Sequence, residues 1–422
     1  MIGLAIRGEA MLHAFKTVPS PENQGNGLET QVLNIWVDAQ VTKEDVTKGT
    51  LAMVGTDPVS IDIKYRGNSS FSDFDKPQYR ISFKDEARTR NVERSLFGMN
   101  EASDWILYGP FLDRSLLRSK FFLDLSRDLL PWAPDSRYFE LYLNDEYEGV
   151  YLAIEALQVD EQRIALHEKG LLSGETAYLV WRERIGQEEN PIETYASINA
   201  LTSYELSVDF PGPKRITQKQ LDWISSDISR FEQALYGPDF RDDVLGYRTY
   251  IDMDSFVDYF LINELAMLSD AGYLSTPMYK DLKGRLTLSV WDFNNALNNY
   301  YKDKNVEAFY LTESNYFSQM IKDPIFVSLV LDRYSDLRKT SWDTTVLLNK
   351  LEELERSIHE AKERNFKRYG YTFERELLDR SVTGERRDPS SYEEAVEQVR
   401  STLVNRLEFL DEHLRDLYAF TQ

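Results

Sequence analysis

A chain of 422 residues with 42% hydrophobic and 13% aromatic side chains has material for a sizeable core and the length of two or three domains. Its 71 acidic against 49 basic residues leave a net charge of -22, which repels nucleic acid and anionic membrane unless a local basic patch intervenes. Cysteine is absent and the histidines, His13, His167, His359 and His413, are scattered, which excludes thiol nucleophiles, disulfides, Cys-based zinc sites and a His-x-x-x-His metal pair. No Gly-x-Ser-x-Gly, Walker-type Gly-x-x-x-x-Gly-Lys or Gly-x-Gly-x-x-Gly is present either. Catalysis must therefore run on carboxylates, amides, hydroxyls, Lys and Arg.

Residues 1–13 lack the apolar core and cleavage site of a signal peptide, and no run of about 18 apolar residues occurs, so neither export nor a transmembrane segment is read and the expectation is a cytoplasmic chain. Residues 1–30 form an N-terminal segment ending in a loop rich in Pro and Gly. Residues 31–37 and 59–65 alternate as strands, carrying Val32, Leu33, Ile35 and Val37, then Val59, Ile61, Ile63 and Tyr65. Arg66, Asn68 and Ser69 follow around Gly67 as a turn, readable either as a plain hydrogen-bonded turn or as a cover of donors over phosphate. In residues 76–83, Tyr79, Ile81 and Phe83 occupy one strand face, which predicts Lys76 and Arg80 together on the other as an anion site.

Leu117, Phe121, Leu125 and Leu129 step by four and predict a core helix, with Arg118 one position round from Leu117. Residues 138–143 and 148–155 predict a hairpin around Asn144-Asp145, and Glu155 ends its second strand as a carboxylate in want of a partner. Thr217 with Gln220 opens a packing helix that Gly237 closes, and Ser391 with Glu394 opens another. A strand-rich part over 31–215 followed by a mainly helical part over 216–422 is an α+β arrangement.

The polar residues become informative between 263 and 300. Phe256, Phe260 and Met267 lie at helical spacing, with Asp252 or Asp254 as N-cap, and Asn263 and Asp270 share a face if that helix persists. Two short strands then lead to Asp292, just past a strand end, with Trp291 before it and Asn294 after it. A carboxylate after a helix, a hairpin, and a second carboxylate at its exit is the order in which protein kinases carry their base and their magnesium ligand.

This stretch, with Tyr65-Arg-Gly-Asn-Ser-Ser70, Lys76-Pro-Gln-Tyr-Arg-Ile-Ser-Phe83, Asp104-Trp-Ile-Leu-Tyr-Gly-Pro-Phe-Leu-Asp113, Leu117-Arg118 and Glu148-Gly-Val-Tyr-Leu-Ala-Ile-Glu155, resembles the spore coat protein H (CotH) kinase family of atypical protein kinases. The motifs cover the chain from about Tyr65 to about Tyr300. The resemblance implies a two-lobed, protein-kinase-like fold and an ATP-dependent phosphotransferase using Mg2+ or Mn2+. It also implies a protein substrate, including one of a spore coat or cell surface. Asp270 would be the base and Asp292 with Asn294 the metal ligands. Lys76 and Arg80 would hold phosphates, with Arg66, Asn68, Ser69, Arg118 and Glu155 around the nucleotide and Trp291 stacked on its adenine.

Two departures stand out. Many relatives carry Asp where this chain has Asn294, and Asn where it has Leu268, so weaker metal binding is expected, and a kinase-shaped scaffold with little or no activity is the alternative. A glycoside hydrolase using two carboxylates ranks last, having no sugar-platform signature.

Overall fold

The computed structural model describes residues 30–67, 74–167, 174–183, 190–202, 204–378, 382, 384 and 386–422. Asn68, Ser69 and nearly all of the N-terminal segment lie outside these residues. Strands β1 (Gln31–Val37), β2 (Thr47–Met53), β3 (Val59–Arg66), β4 (Gln78–Phe83) and β5 (Asp104–Tyr108) follow one another as antiparallel neighbours. After helix α1 (Arg118–Arg127), β6 (Ser136–Leu143) and β7 (Glu146–Glu155) form the predicted hairpin. Its two turn residues, Asn144 and Asp145, have φ of 49° and 65°, the primed turn that matches strand twist. β7 pairs with β5 and β6 pairs in parallel with β1, so the sheet closes into a barrel of order β1-β2-β3-β4-β5-β7-β6. Closure leaves no edge of unpaired backbone groups.

Alternation decides what fills the barrel. Leu33 and Ile35, Ile61 and Ile63, and Tyr79, Ile81 and Phe83 are buried in one core, so the residues between them face outward. Arg80, between Tyr79 and Ile81, and Lys64, next after Ile63, are set directly opposite by the β3–β4 register. β2 lacks clear alternation and forms because β1 and β3 each offer it a ladder.

A second sheet, β12-β11-β8-β10-β9, is antiparallel and built from β8 (Tyr178–Glu183), β9 (Pro191–Ile192), β10 (Glu205–Phe210), β11 (Thr276–Lys280) and β12 (Thr287–Leu288). It draws strands from both sides of residue 215, and the larger core runs from Ile106 to Leu417. The other helices are α2 (Tyr195–Ile198), α3 (Gln218–Tyr236), α4 (Met253–Ala266), α5 (Asn315–Met320), α6 (Pro324–Arg338), α7 (Thr344–Ser357), α8 (His359–Tyr369) and α9 (Tyr392–His413). The fold is thus α+β, strand-rich first and helical after, as the patterning predicts. Closure of the first sheet into a barrel goes beyond what the patterning predicts.

α3 opens with the predicted capping box, the Thr217 N–H donating to Gln220 Oε1 at 2.9 Å. α4 is capped by Asp252, which accepts from the Ser255 N–H at 2.9 Å, and every residue from Ser255 to Ala266 is buried. The one-sided apolar face read in the sequence belongs to a helix buried all round.

Inside α4, Glu264 accepts the backbone N–H groups of Tyr310 and Leu311 and pairs with Arg406 of α9 at 2.7 Å, both side chains fully buried. Arg406 also donates to the carbonyls of Glu264, Val306 and Ala308. Removing one partner of such a pair strands the other charge. Glu264→Gln should lower stability by about 3 kcal/mol, read as a fall in the urea midpoint at unchanged slope.

Candidate active site

α4 ends where the site begins. Met267 takes the left-handed backbone conformation at φ 58° and the Leu268 N–H closes onto the Asn263 carbonyl at 3.1 Å, so the helix stops short of Asp270. Asn263 and Asp270 do not share a helix face as expected. The turn still brings both to one small cavity of about 20 Å3, room for a single water or ion. Asp292 lines the same cavity from the far end of the β11–β12 hairpin, and Leu268 and Asn295 line it too.

Asp292 is itself left-handed (φ 62°, ψ 62°) at the head of a 3₁₀ turn, Phe293–Asn295, which Phe293 anchors by stacking on Phe122 of α1 at 5.4 Å. Ser275, Leu297 and Asn298 also have positive φ, of 48°, 51° and 61°. Asp and Asn tolerate this conformation, whereas at Met267, Ser275 and Leu297 it costs about 1–3 kcal/mol each and must be held by packing. Strain gathered around two carboxylates points to function.

The Asp292 side chain reaches solvent at the cavity mouth while protein crowds it on its other sides. That desolvation is the largest influence on its carboxyl and pushes it above the usual carboxylate range, with Arg66 opposing and Asp270 adding to the rise. A cation would relieve it. Asn294 lines neither this cavity nor the next, but its Oδ1 is buried without a hydrogen-bond partner, a hard oxygen acceptor left open. Among the described residues, no three His, Asp or Glu gather as a metal cluster. Two carboxylates with neighbouring amides nonetheless fit magnesium, which takes one or two carboxylates and completes its shell with water and phosphate.

Trp291 lines both this cavity and a larger cleft of about 460 Å3. The barrel contributes Lys64, Arg66 and Arg80 to the cleft, the second sheet contributes Trp181 and Ser207, and Lys43 lies at its border. Trp181 meets Trp291 edge-on with centroids 5.7 Å apart, and the Arg66 guanidinium sits 5.6 Å over the Trp291 ring while donating to Gln78 Oε1. Arg80 pairs with Asp104 at 3.1 Å and stays half exposed. Like charges opposite in a ladder repel. Lys64 and Arg80 are such a pair, and beside a cleft they make a seat for anions.

The predicted Lys76–Arg80 pair does not form. Pro77 has no N–H to give the ladder, β4 starts only at Gln78, and Lys76 turns away. Its amine is buried, donates to the Val150 carbonyl at 2.6 Å and Asn365 Oδ1 at 2.9 Å, and lies between the Tyr151 and Tyr369 rings. Burial holds its pKa well below the ordinary lysine value, with Glu148 opposing. Gly149 makes room for this contact, since a Cβ there would come within 2.6 Å of Asn365 Oδ1.

Glu155 accepts the Asp135 N–H at 3.0 Å and lies 4.0 Å from Arg163, not beside Lys76. Arg118 pairs with Asp113 at 2.6 Å, the carboxylate that also accepts the first N–H of α1, and lines neither cavity.

Lys43, Lys64, Trp181, Asn295 and Lys304 are lining residues that the sequence does not single out, and two of them are instructive. Lys64 was legible in principle, since the alternation that buries Ile61 and Ile63 turns it outward beside Arg66. Lys304 was not, because Tyr301-Lys-Asp-Lys304 reads as a solvated loop. It lines the carboxylate cavity, buried, donating to the Met267 carbonyl at 2.9 Å. Burial pulls its pKa down to about 8, Asp270 raising it and Arg387 lowering it.

A family model described as CotH kinase protein matches residues 63–410. The chain belongs to the CotH kinase family. The match extends beyond the stretch in which the resemblance was legible, taking in the C-terminal helices up to α9. The chain is also similar to the inner spore coat protein H of Bacillus subtilis (strain 168), 34% identical over 122 residues, which is 29% of this chain and 30% of that protein. It thus matches less than a third of that relative's length. Among the described residues, no helix is long and apolar enough to cross a membrane.

Proposed function

We propose that this CotH family member is an ATP- and divalent-metal-dependent phosphotransferase that moves the terminal phosphoryl group to a protein hydroxyl. One observation carries the reading: two carboxylates, Asp270 and Asp292, line a cavity that shares Trp291 with a nucleotide-sized cleft bordered by Lys43, Lys64, Arg66 and Arg80. In this reading the barrel and the second sheet flank the nucleotide as the two lobes of a kinase do.

Asp292 would hold the metal, helped by the amide of Asn295, which lines the same cavity; Asn294 would join only if its buried Oδ1 turned toward it. A magnesium or manganese ion held there would supply neutralisation of charge on the phosphate oxygens. Arg66, Arg80 and Lys64 hold phosphate, Trp291 and Trp181 border the base, and Asp270 takes the proton of the acceptor hydroxyl. The spore coat relative makes a coat or surface protein the favoured substrate, and the spore the favoured location.

The test is thermal stability with ATP, with Mn2+ or Mg2+, with both and with neither. A ligand at a hundredfold excess over its dissociation constant adds about 2.7 kcal/mol. ATP should stabilise only with metal, and chelation should reverse the effect. Leu268 at the cavity wall, where the resemblance has Asn in many members, favours a second reading, a catalytically weak or inactive scaffold. A midpoint that no combination moves would establish that one instead.

The buried amine yields a sharper expectation. Lys76→Met should keep the ATP shift while losing about 1–3 kcal/mol through the unpaired Val150 carbonyl and Asn365. Loss of the shift at unchanged stability would return Lys76 to the nucleotide.

A further inference from the structure

We propose that Lys304 is a further catalytic residue, the cation that contacts the transferring phosphoryl group opposite Asp270. The proposal rests on the phosphotransfer reading above. Lys304 lines the same cavity as Asp270 and Asp292, whereas Lys43, Lys64, Arg66 and Arg80 line the larger cleft, and Trp291 lines both. Arg66, Arg80 and Lys64 are therefore placed for the phosphates that stay on the nucleotide, and Lys304 for the one that leaves.

Its setting is that of a prepared charge. An ammonium has three donors, and the Met267 carbonyl, at 2.9 Å, is the hydrogen-bond acceptor it reaches among the described residues. Asp270 borders the same cavity, yet no ion pair within 4.0 Å joins the two, so anion and cation stand across a gap. The Tyr300 and Tyr310 rings lie 5.2 and 5.5 Å from the amine and hold it in place.

The backbone is fixed as well. The Lys304 N–H donates to Asn298 Oδ1 at 2.9 Å, and the neighbouring Asp303 is held by Arg387 at 3.2 Å. A buried cation with unused donors is costly, and a site that keeps one beside two carboxylates has a use for it. A surface lysine would not be held this way.

In the transfer, the acceptor oxygen bonds to the terminal phosphorus as the bond from phosphorus to the bridging oxygen breaks. That oxygen leaves on ADP with the electron pair, and the hydroxyl proton goes to Asp270. Lys304 donates hydrogen bonds to the equatorial oxygens of the moving group and keeps its protons throughout.

Lys304→Met keeps the length and removes the charge. Steady-state phosphorylation of a coat-protein or generic basic-protein acceptor should lose about a hundredfold in kcat with KM for ATP unchanged, the split expected of a contact made in the transition state. The metal-dependent ATP shift should persist. A kcat within about threefold of the native enzyme overturns the proposal.

If that variant does not fold, labelling of the native chain decides. An acyl phosphate of ATP presents its carbonyl at the terminal phosphate, where a lysine amine attacks it, forms an amide and releases ATP. Labelling of Lys304, blocked by ATP, supports the proposal; ATP-protected labelling confined to Lys43 and Lys64 overturns it. A native chain with neither ATP shift nor transfer sinks the phosphotransfer reading itself, before any substitution is made.

Discussion

Asp292→Ala is expected to abolish both the metal-dependent ATP shift and phosphoryl transfer, the latter by about a thousandfold or more, since a metal contact supplies several kcal/mol of charge stabilisation. The reason lies in how the carboxylate is held. Its left-handed backbone and the Phe293–Phe122 stack fix it at the cavity mouth, and desolvation by the surrounding protein keeps it poised for a cation. Alanine removes the ligand and the repulsion between Asp292 and Asp270, but it tolerates the left-handed backbone at φ 62° less well than aspartate, so the two effects oppose and stability without ligand should change little. Parallel melts with and without Mn2+ and ATP separate these effects. A variant that still shifts with metal and ATP would place the metal elsewhere.

Asp270→Asn is the second large effect, and of a different kind. Amide and carboxylate have the same shape, so the turn from Met267 should survive. What disappears is the base, and with it about 10²–10⁴-fold in kcat. Nucleotide binding should stay or tighten, because one negative charge facing the phosphates is gone. Binding lost in one variant and kept in the other distinguishes a working phosphotransferase from a scaffold, in which neither substitution changes anything measurable. Isothermal titration with ATP and Mn2+, run beside the transfer assay, reads both quantities on one preparation.

Much of this was legible because it is local. β1, β3, the β6–β7 hairpin and the capped start of α3 each announce themselves within about ten residues, through alternation, an Asn-Asp turn or a capping box. The order of Asp270 and Asp292 was legible in the same way. Their shared cavity was not, because it depends on Met267 leaving the helix against the preference of its side chain.

The cation pair failed for a related reason. Counting along one strand put Lys76 with Arg80, and Pro77 broke the count. The partner actually opposite Arg80 is Lys64, which only the register between β3 and β4 reveals. Barrel closure is less visible still, since the parallel β1–β6 pair is a contact no short window contains. Lys304 had no local signature at all.

That closing pair has a consequence for how the chain is made. β1 can use one side at once, against β2, but its other side waits for β6, which lies roughly a hundred residues downstream. At about 5–20 residues per second, a ribosome leaves that side of β1 unmet for roughly 5–20 s. During synthesis the barrel is an open curl whose unpaired β1 margin faces neighbouring nascent chains, an opening for aggregation that the finished, closed sheet no longer offers.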